Sequence, residues 1–202
     1  MKQVIIIGGG ETFDSYEEYL KFLLSYELDF ESVFRKGWKS SLQKELGDTY
    51  EIIVPHMPNA MNAKYKEWKI YFDKFIPYVH DGVVLVGHSL GGIFLAKFLS
   101  ENQFPRKISV TFLIAAPYEN TEQYSLADFV LSDNLSLFSR QSPCIFLYHS
   151  TDDPVVPFSA AESYKEGLPE AQVRRFSDRG HFTQEIIPEL ISDIRSIHSI
   201  HT

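Results

Sequence analysis

The chain has 202 residues, of which 44% are apolar and 14% aromatic, enough to bury the core of one domain and unlike a disordered protein. Nineteen basic and 27 acidic residues give a net charge of −8, and no basic cluster accompanies them, which argues against nucleic acid or an anionic membrane surface as a partner. One cysteine, Cys144, excludes an internal disulfide, and no apolar run has the length of a signal peptide core or a membrane span. We therefore expect a cytoplasmic protein with a single domain over residues 1–202.

The first predicted strand, Val4–Ile7, ends in three consecutive glycines, Gly8–Gly10. A dinucleotide fingerprint would need a third glycine where Phe13 stands, so a phosphate cradle is weakly supported. A loop that supplies one donor of an oxyanion hole fits better, because glycine lets backbone N–H groups approach a ligand closely. A plain tight turn is the alternative interpretation.

Residues 14–46 carry apolar side chains at helical spacing, which predicts one or two amphipathic helices that serve mainly as scaffold. A short strand follows at Tyr50–Val54 and is stopped by Pro55. The next helix is predicted from Asn62 to about Phe75, with an aromatic stripe typical of a core.

The strongest motif follows the apolar strand Val83–Val86 and reads Gly87-His88-Ser89-Leu90-Gly91, which matches GxSxG. In that motif a serine sits on a strained strand-to-helix corner, and glycines flank it because strand and helix backbones nearly touch there. An apolar helix without a breaker before Pro105 completes the order of strand, turn and helix. A strand that merely ends in a glycine-rich turn is the alternative.

Beyond this helix, strands are predicted at residues 108–115, 144–148 and 173–176. The segment 117–140 reads as one or two short helices that could form a small cap over a pocket, and a simple crossover is equally compatible. A helix is predicted over residues 159–166, and a final helix follows His181.

Strands that alternate with helices and lack hydrophobic–polar alternation predict an α/β fold, with a mostly parallel sheet of about six strands and helices on both faces. The carboxyl ends of parallel strands meet at one edge, which brings together the glycine loop, Ser89, the pair Asp152 and Asp153, and His181. The order Ser, Asp, His along the chain is that of α/β-hydrolases. His149 also follows a strand at this edge and is the rival base, whereas His88 should point away from Ser89.

These motifs, together with Asp-Asp-Pro-Val-Val-Pro at 152–157 and Gly-His-Phe at 180–182, resemble the small α/β-hydrolases of the retinoblastoma-binding-protein-9 type and their bacterial relatives. The resemblance implies an α/β-hydrolase fold with little or no lid, Ser89 as nucleophile, Asp153 as orienting acid and His181 as base. The loop Gly8–Glu11 departs from the family's proline-led glycine loop, and residues 14–46 look longer than usual.

The sequence thus predicts a serine hydrolase that cleaves a small-molecule carboxylic ester or amide (EC 3.1) through an acyl-enzyme, without a metal or organic cofactor. The N–H of Leu90 and that of Gly9 or Gly10 are the expected oxyanion donors. A catalytically silent protein that keeps the fold as an interaction or ligand-binding module is the alternative. Neighbouring residues of an extended loop point in opposite directions, so we expect only Asp153, and not Asp152, to face His181.

Overall fold

A computed structural model describes residues 1–30, 34 and 36–197, and the strands of this part form one parallel sheet. In chain order they are β1 (Lys2–Ile7), β2 (Tyr50–Ile53), β3 (Val83–His88), β4 (Ile108–Ile114), β5 (Ile145–Ser150) and β6 (Gln172–Phe176). Their order across the sheet is β2-β1-β3-β4-β5-β6. The predicted parallel sheet of about six strands is confirmed.

Helices cover both faces of this sheet, as predicted. They are α1 (Tyr16–Ser25), α2 (Trp38–Leu46), α3 (Tyr65–Asp73), α4 (Leu90–Glu101), α5 (Ser136–Gln141), α6 (Ser159–Gly167) and α7 (Pro188–Ile197). Side chains of α3, α4, α5 and α6 join one core cluster, and those of α2 and α7 join the other. Strands between two layers of helices bury both of their faces, which explains why apolar and polar residues do not alternate along them.

The central strands end level with one another at the edge where the predicted site lies. Ile7 of β1 pairs with Gly87 of β3, and His88 pairs with Ile114 of β4. All six residues of β3 are buried, whereas most of β6, an edge strand, is exposed. The chain leaves β3 at Ser89 in the middle of the sheet, with strands on either side.

The predicted helical segment 14–46 contains one helix that packs against the core and one that buries no residue. Trp38, Leu42 and Leu46 of α2 are buried, but α1 buries none of its residues and leaves Leu24 88% exposed. Apolar spacing shows that a helix can present an apolar face, but not that a partner exists for it. Positions 31–33 and 35 of this segment lie outside the described residues.

The segment 117–140 consists of loop, a 3₁₀ turn at Ala127–Phe129 and the beginning of α5. Leu126, Phe129 and Phe138 are buried, so the segment is packed against the body of the protein. None of the helices in the described ranges is long and apolar enough to cross a membrane.

Candidate active site

Ser89 lies between the last residue of β3 and the first residue of α4, in a conformation that few residues other than glycine adopt. Its φ is 54° and its ψ is −126°. The Ser89 N–H donates to the carbonyl of Ile114 at 2.9 Å, and its own carbonyl accepts from the N–H of Gly92 at 2.8 Å. Backbone strain of this kind persists only where the surrounding structure imposes it, and it is common at active sites. The corner leaves the Ser89 side chain lining a cavity at the carboxyl edge of the sheet.

The two glycines of the GxSxG motif are needed for different close approaches. A Cβ at Gly87 would lie 2.5 Å from the carbonyl oxygen of Gly91, so β3 and α4 nearly touch there, as the sequence predicts. A Cβ at Gly91 would instead lie 2.2 Å from the carbonyl oxygen of Ile7 and 2.5 Å from that of Gly8. The second glycine therefore also makes room for the end of β1, a close approach that the sequence did not predict.

His181 and Asp153 form a close pair at the same edge. The Nδ1 of His181 lies 2.9 Å from Oδ2 of Asp153 and 3.1 Å from Oδ1, and the Asp153 side chain is fully buried. Because a carboxylate only accepts, Nδ1 carries the proton and donates it, which leaves the Nε2 lone pair free. His181 and Ser89 line one cavity, although no hydrogen bond joins the two side chains in the part of the chain that the structure describes. Such bonds are often long in unliganded sites and shorten when substrate is bound.

Backbone groups complete the environment of the Asp153 carboxylate. Its Oδ1 accepts from the N–H of Val155 at 2.8 Å and from that of Val156 at 3.0 Å. Burial raises the pKa of Asp153, but the hydrogen bonds from His181 and from these two N–H groups outweigh it, and the net pKa is lowered. The group is therefore ionised, with one acceptor edge directed at the imidazole.

Asp152 points to a different set of partners. Its carboxylate accepts from the hydroxyl of Ser150 and from the N–H of Gly180 at 3.0 Å. The hydrogen bond from Ser150 holds the pKa of Asp152 below its usual value. Asp152 thus braces the loop before His181, whereas Asp153 contacts the imidazole itself.

His149, the rival base in the sequence, is buried and does not line the cavity. Its Nε2 lies 2.9 Å from the carbonyl oxygen of Val156, and burial lowers its pKa, so a neutral ring donates to that carbonyl. This bond holds the loop that presents the Asp153 carboxylate. The structure therefore gives His149 a supporting position.

Both ring nitrogens of His88 are bonded to other cavity residues and not to Ser89. Lys39 Nζ lies 3.1 Å from His88 Nδ1, and His88 Nε2 lies 2.8 Å from the carbonyl oxygen of His181. An ammonium group can only donate, so Nδ1 is the acceptor, and Nε2 donates to the carbonyl of His181. Burial and the nearby Lys39 hold the pKa of His88 well below its usual value, which agrees with a neutral ring.

The first residue of α2 also holds the loop that carries His181. Trp38 donates from its indole N–H to the carbonyl of Phe182 at 3.0 Å and from its backbone N–H to the carbonyl of Gln184 at 2.9 Å. Phe182 has a φ of 54°, a conformation that needs such external support. The start of α2 is thus part of the frame around His181.

The glycine loop after β1 passes directly beside Ser89. A Cβ at Gly9 would lie 3.1 Å from the Ser89 Cβ and 3.4 Å from its Oγ. A Cβ at Gly10 would lie only 2.6 Å from the carbonyl oxygen of Ala60. A Cβ would overlap backbone at Gly10 and would be tight at Gly9. The missing side chains therefore let the loop approach an oxygen bound at Ser89.

Two neighbouring N–H groups differ in whether they are available to a ligand. Leu90 is the first residue of α4, where a backbone N–H has no partner within the helix. The N–H of Glu11 is already used, since it donates to the carbonyl of Ala60 at 2.8 Å. The N–H of Leu90 and those of the preceding glycines are therefore candidate backbone donors for an anion at this place.

The cavity has a volume of about 420 Å³ and is lined by both apolar and charged groups. Tyr124 and Leu126 contribute from the segment 117–140 and Val155 from the loop after β5, while Glu11 and Lys39 bring opposite charges. Partial burial raises the pKa of the Glu11 carboxyl, and the charge of His181 acts in the opposite direction. In the described ranges, no cluster of three or more His, Cys, Asp or Glu side chains could hold a metal ion.

Sequence reasoning did not single out Trp38, Lys39 or Glu11 as parts of the site. Trp38 and Lys39 lie on a helix that reads as ordinary scaffold, and their partners are about 50 to 145 residues away along the chain. Glu11 follows the glycines, and in the sequence it stands out only as a departure from the family's loop. Its position directly after Gly8–Gly10 is the one feature of the sequence that could have placed Glu11 in the site. No feature of the sequence indicates Lys39.

Comparisons with known proteins point to one family. A family model described as serine hydrolase matches residues 31–186. Serine hydrolase RBBP9 of Rattus norvegicus is 24% identical over 163 residues, which are 80% of this chain and 86% of that protein. YdeN of Bacillus subtilis, described as a hydrolase, is 23% identical over 154 residues, 73% of this chain and 79% of YdeN.

Solved structures show the same fold. The crystal structure of the B. subtilis ydeN gene product matches with a TM-score of 0.77 and 20% identity, over 98% of this chain and 100% of that one. A meta-cleavage product hydrolase from Pseudomonas fluorescens matches with a TM-score of 0.66 and 15% identity, over 100% of this chain and 92% of the other. The α/β-hydrolase fold predicted from the sequence is confirmed.

Proposed function

Because this chain belongs to the serine hydrolase family, we propose that it cleaves a carboxylic ester or amide through an acyl-enzyme formed on Ser89. One observation carries the proposal: the imidazole of His181, held at 2.9 Å by Asp153, lines the same cavity as a serine on a strained corner. A serine hydroxyl is a poor nucleophile until an oriented imidazole takes its proton. The three side chains supply those parts.

In the proposed reaction, Ser89 Oγ attacks the scissile carbonyl carbon while Nε2 of His181 accepts the hydroxyl proton. The imidazolium that forms is stabilised by Asp153, and it returns the proton to the leaving oxygen or nitrogen as the carbon–heteroatom bond breaks. Water then attacks the ester on Ser89 by the same route, and the carboxylic acid is released. No metal or organic cofactor is needed.

The oxyanion is proposed to bind the N–H of Leu90 together with that of Gly9 or Gly10. The first turn of α4 directs an unpaired N–H and the positive end of its dipole toward the site. The absence of side chains lets Gly9 lie against Ser89 and Gly10 against Ala60 and Leu90. Donors fixed in this way stabilise charge that develops only in the transition state.

The cavity volume is that of sites for small molecules, which supports a small ester or amide as substrate. The rival is a silent protein that binds a ligand in this cavity. It would have no need of strain at Ser89 or of a buried carboxylate aligned with His181.

Hydrolysis of short 4-nitrophenyl esters tests the proposal. We expect Ser89→Ala to lower kcat/KM by at least about 10³-fold, because the covalent route is lost. Ser125→Ala, which removes another serine hydroxyl from the same cavity, is the matched control and should keep most of the activity. Residual activity of Ser89→Ala within about tenfold of wild type would overturn the assignment.

A further inference from the structure

The cavity beside Ser89 contains an ammonium group that the proposed acyl transfer does not use. Lys39 is half-buried and lines the cavity, and its Nζ lies 3.6 Å from the place where a Cβ of Gly8 would be. Gly8 directly precedes Gly9, which packs against Ser89. The ammonium is therefore near the loop proposed to bind the oxyanion.

This ammonium is held in place but is not neutralised. Of its three donors, one is directed to His88 Nδ1 at 3.1 Å, and no carboxylate of the described residues pairs with it. His88 is itself fixed, since its other nitrogen donates to the carbonyl of His181. The ammonium also lies 5.6 Å from the centroid of the Trp38 ring, an uncharged partner. Its remaining N–H groups are thus left for a ligand, on a side chain whose position is set by buried rings.

Burial makes the charged form of Lys39 less stable than it would be in water. Desolvation lowers the pKa of Lys39 to about 8, so the surroundings disfavour the charged form. A partly buried cation without a counter-charge is rarely kept for stability alone. A ligand that brings a negative charge would supply the missing partner.

The other charge in the cavity does not pair with Lys39. Along the glycine loop, Gly8 is beside Lys39 and Gly9 is beside Ser89, while the backbone N–H of Glu11 is bonded to Ala60. Among the described residues, no ion pair joins the Glu11 carboxylate to the Lys39 ammonium. An anion bound at Lys39 therefore need not displace an existing partner.

We propose that Lys39 forms a subsite for a carboxylate of the substrate, so that the enzyme prefers esters or amides that carry a carboxylate near the scissile carbonyl. This inference rests on the proposed function and names the substrate class of the same site. Charge-assisted hydrogen bonds from the remaining N–H groups of Lys39 would favour the anionic substrate over a neutral one of the same length.

The test compares matched substrates as a ratio of kcat/KM values. The mono-4-nitrophenyl ester of glutaric acid has an anionic acyl group, 3-carboxy-4-nitrophenyl pentanoate has an anionic leaving group, and 4-nitrophenyl pentanoate is the neutral reference. We expect at least one anionic ester to be preferred by wild type, and Lys39→Met to lower that preference by about tenfold or more. Lys39→Arg should keep most of it.

Lys44→Met is the matched control, because it removes the same charge from an exposed position of the same helix. It should leave both ratios unchanged, while Glu11→Gln should raise the preference for an anionic ester by removing a like charge. A Lys39→Met variant that loses activity equally on all three esters would show that Lys39 acts only through His88 and His181, and would overturn the subsite.

A pH series gives a second readout. Lys39 faces His88 of β3, and His181 and Glu11 line the same cavity. The preference should fall as the pH rises through about 8 in wild type, since the ammonium loses its charge, and it should not fall in Lys39→Arg. A preference that is constant from pH 7 to about 9.5 would contradict the subsite.

Labelling by a fluorophosphonate, which reports an activated serine, separates the two proposals. If Lys39→Met is labelled like wild type and the ratios do not change, the subsite fails and the hydrolase function stands. If wild type is not labelled at all, the proposed function fails.

Discussion

At the scale of single residues, two adjacent aspartates with different partners define the proposed acid. Asp153 contacts the imidazole of His181 and two backbone N–H groups, whereas Asp152 accepts from Ser150 and from the N–H of Gly180. Both carboxylates are ionised, since hydrogen bonds lower both pKa values. The two carboxylates therefore carry the same charge and differ in the groups that they contact.

We expect Asp153→Asn to lower kcat by at least about 10²-fold, because an amide NH₂ at this place favours the wrong tautomer of His181. Asp152→Asn should stay within about tenfold of wild type, since an amide oxygen can still accept from Gly180. Ester hydrolysis measures both variants, with circular dichroism to check that each is folded. The opposite ranking would move the acid to Asp152.

The proposed catalytic residues could be named from the sequence, but the residues of α2 that support them could not. Ser89, Asp153 and His181 each follow a predicted strand, so strand order alone brings them to one edge. Lys39 and Trp38 reach this edge from the first turn of α2, and that approach depends on how α2 lies across the sheet. Helical spacing indicates which face of α2 is buried but not which loop its first turn touches.

At the scale of elements, three backbone segments meet where the serine corner is built. The end of β1, the end of β3 and the start of α4 approach so closely that the carbonyl oxygens of Ile7 and Gly8 lie against Gly91. The same contact sets the distance between the glycine loop and Ser89. Packing of β1 on α4 is thus tied to the geometry of the proposed oxyanion site.

Replacing Gly91 by Ala should therefore destabilise the protein by about 3 kcal/mol or more, because its Cβ would overlap backbone atoms that no rotamer change can move. Gly37→Ala is the matched control: this glycine is also at a helix start, has a φ of −93°, and a Cβ there would meet no atom within 4 Å. Urea denaturation measures both. Equal stabilities of the two variants would contradict the close packing of β1 on α4.

The central strands were predictable because short, buried apolar runs are typical of parallel strands. The six predicted strands were found within a few residues of their expected bounds. The behaviour of α1 was not predictable. Its apolar spacing predicts a packed amphipathic helix, yet Leu24 and its neighbours remain exposed. Amphipathic spacing describes the apolar face of the helix itself. Whether that face packs depends on another part of the chain, which the local sequence does not describe.

At the scale of the whole molecule, the parallel sheet explains how distant segments make one site. Every strand ends at the same edge, so residues from positions 9 to 181 line one cavity of about 420 Å³. The net charge of −8 would weakly repel an anionic substrate at long range, and dissolved salt screens this repulsion. Lys39 lines the cavity and would contact the bound substrate directly. The overall charge therefore does not decide which substrate the cavity prefers.

The central claim is that Ser89 is an activated nucleophile, and the most direct measurement is the site of covalent modification by a fluorophosphonate. Mass spectrometry of the digested protein should locate a single adduct on Ser89. Ser89→Ala should give no adduct, and His181→Ala should be labelled far more slowly, because the imidazole no longer accepts the proton. An adduct on another residue, or an unlabelled wild-type protein that is folded, would contradict the account.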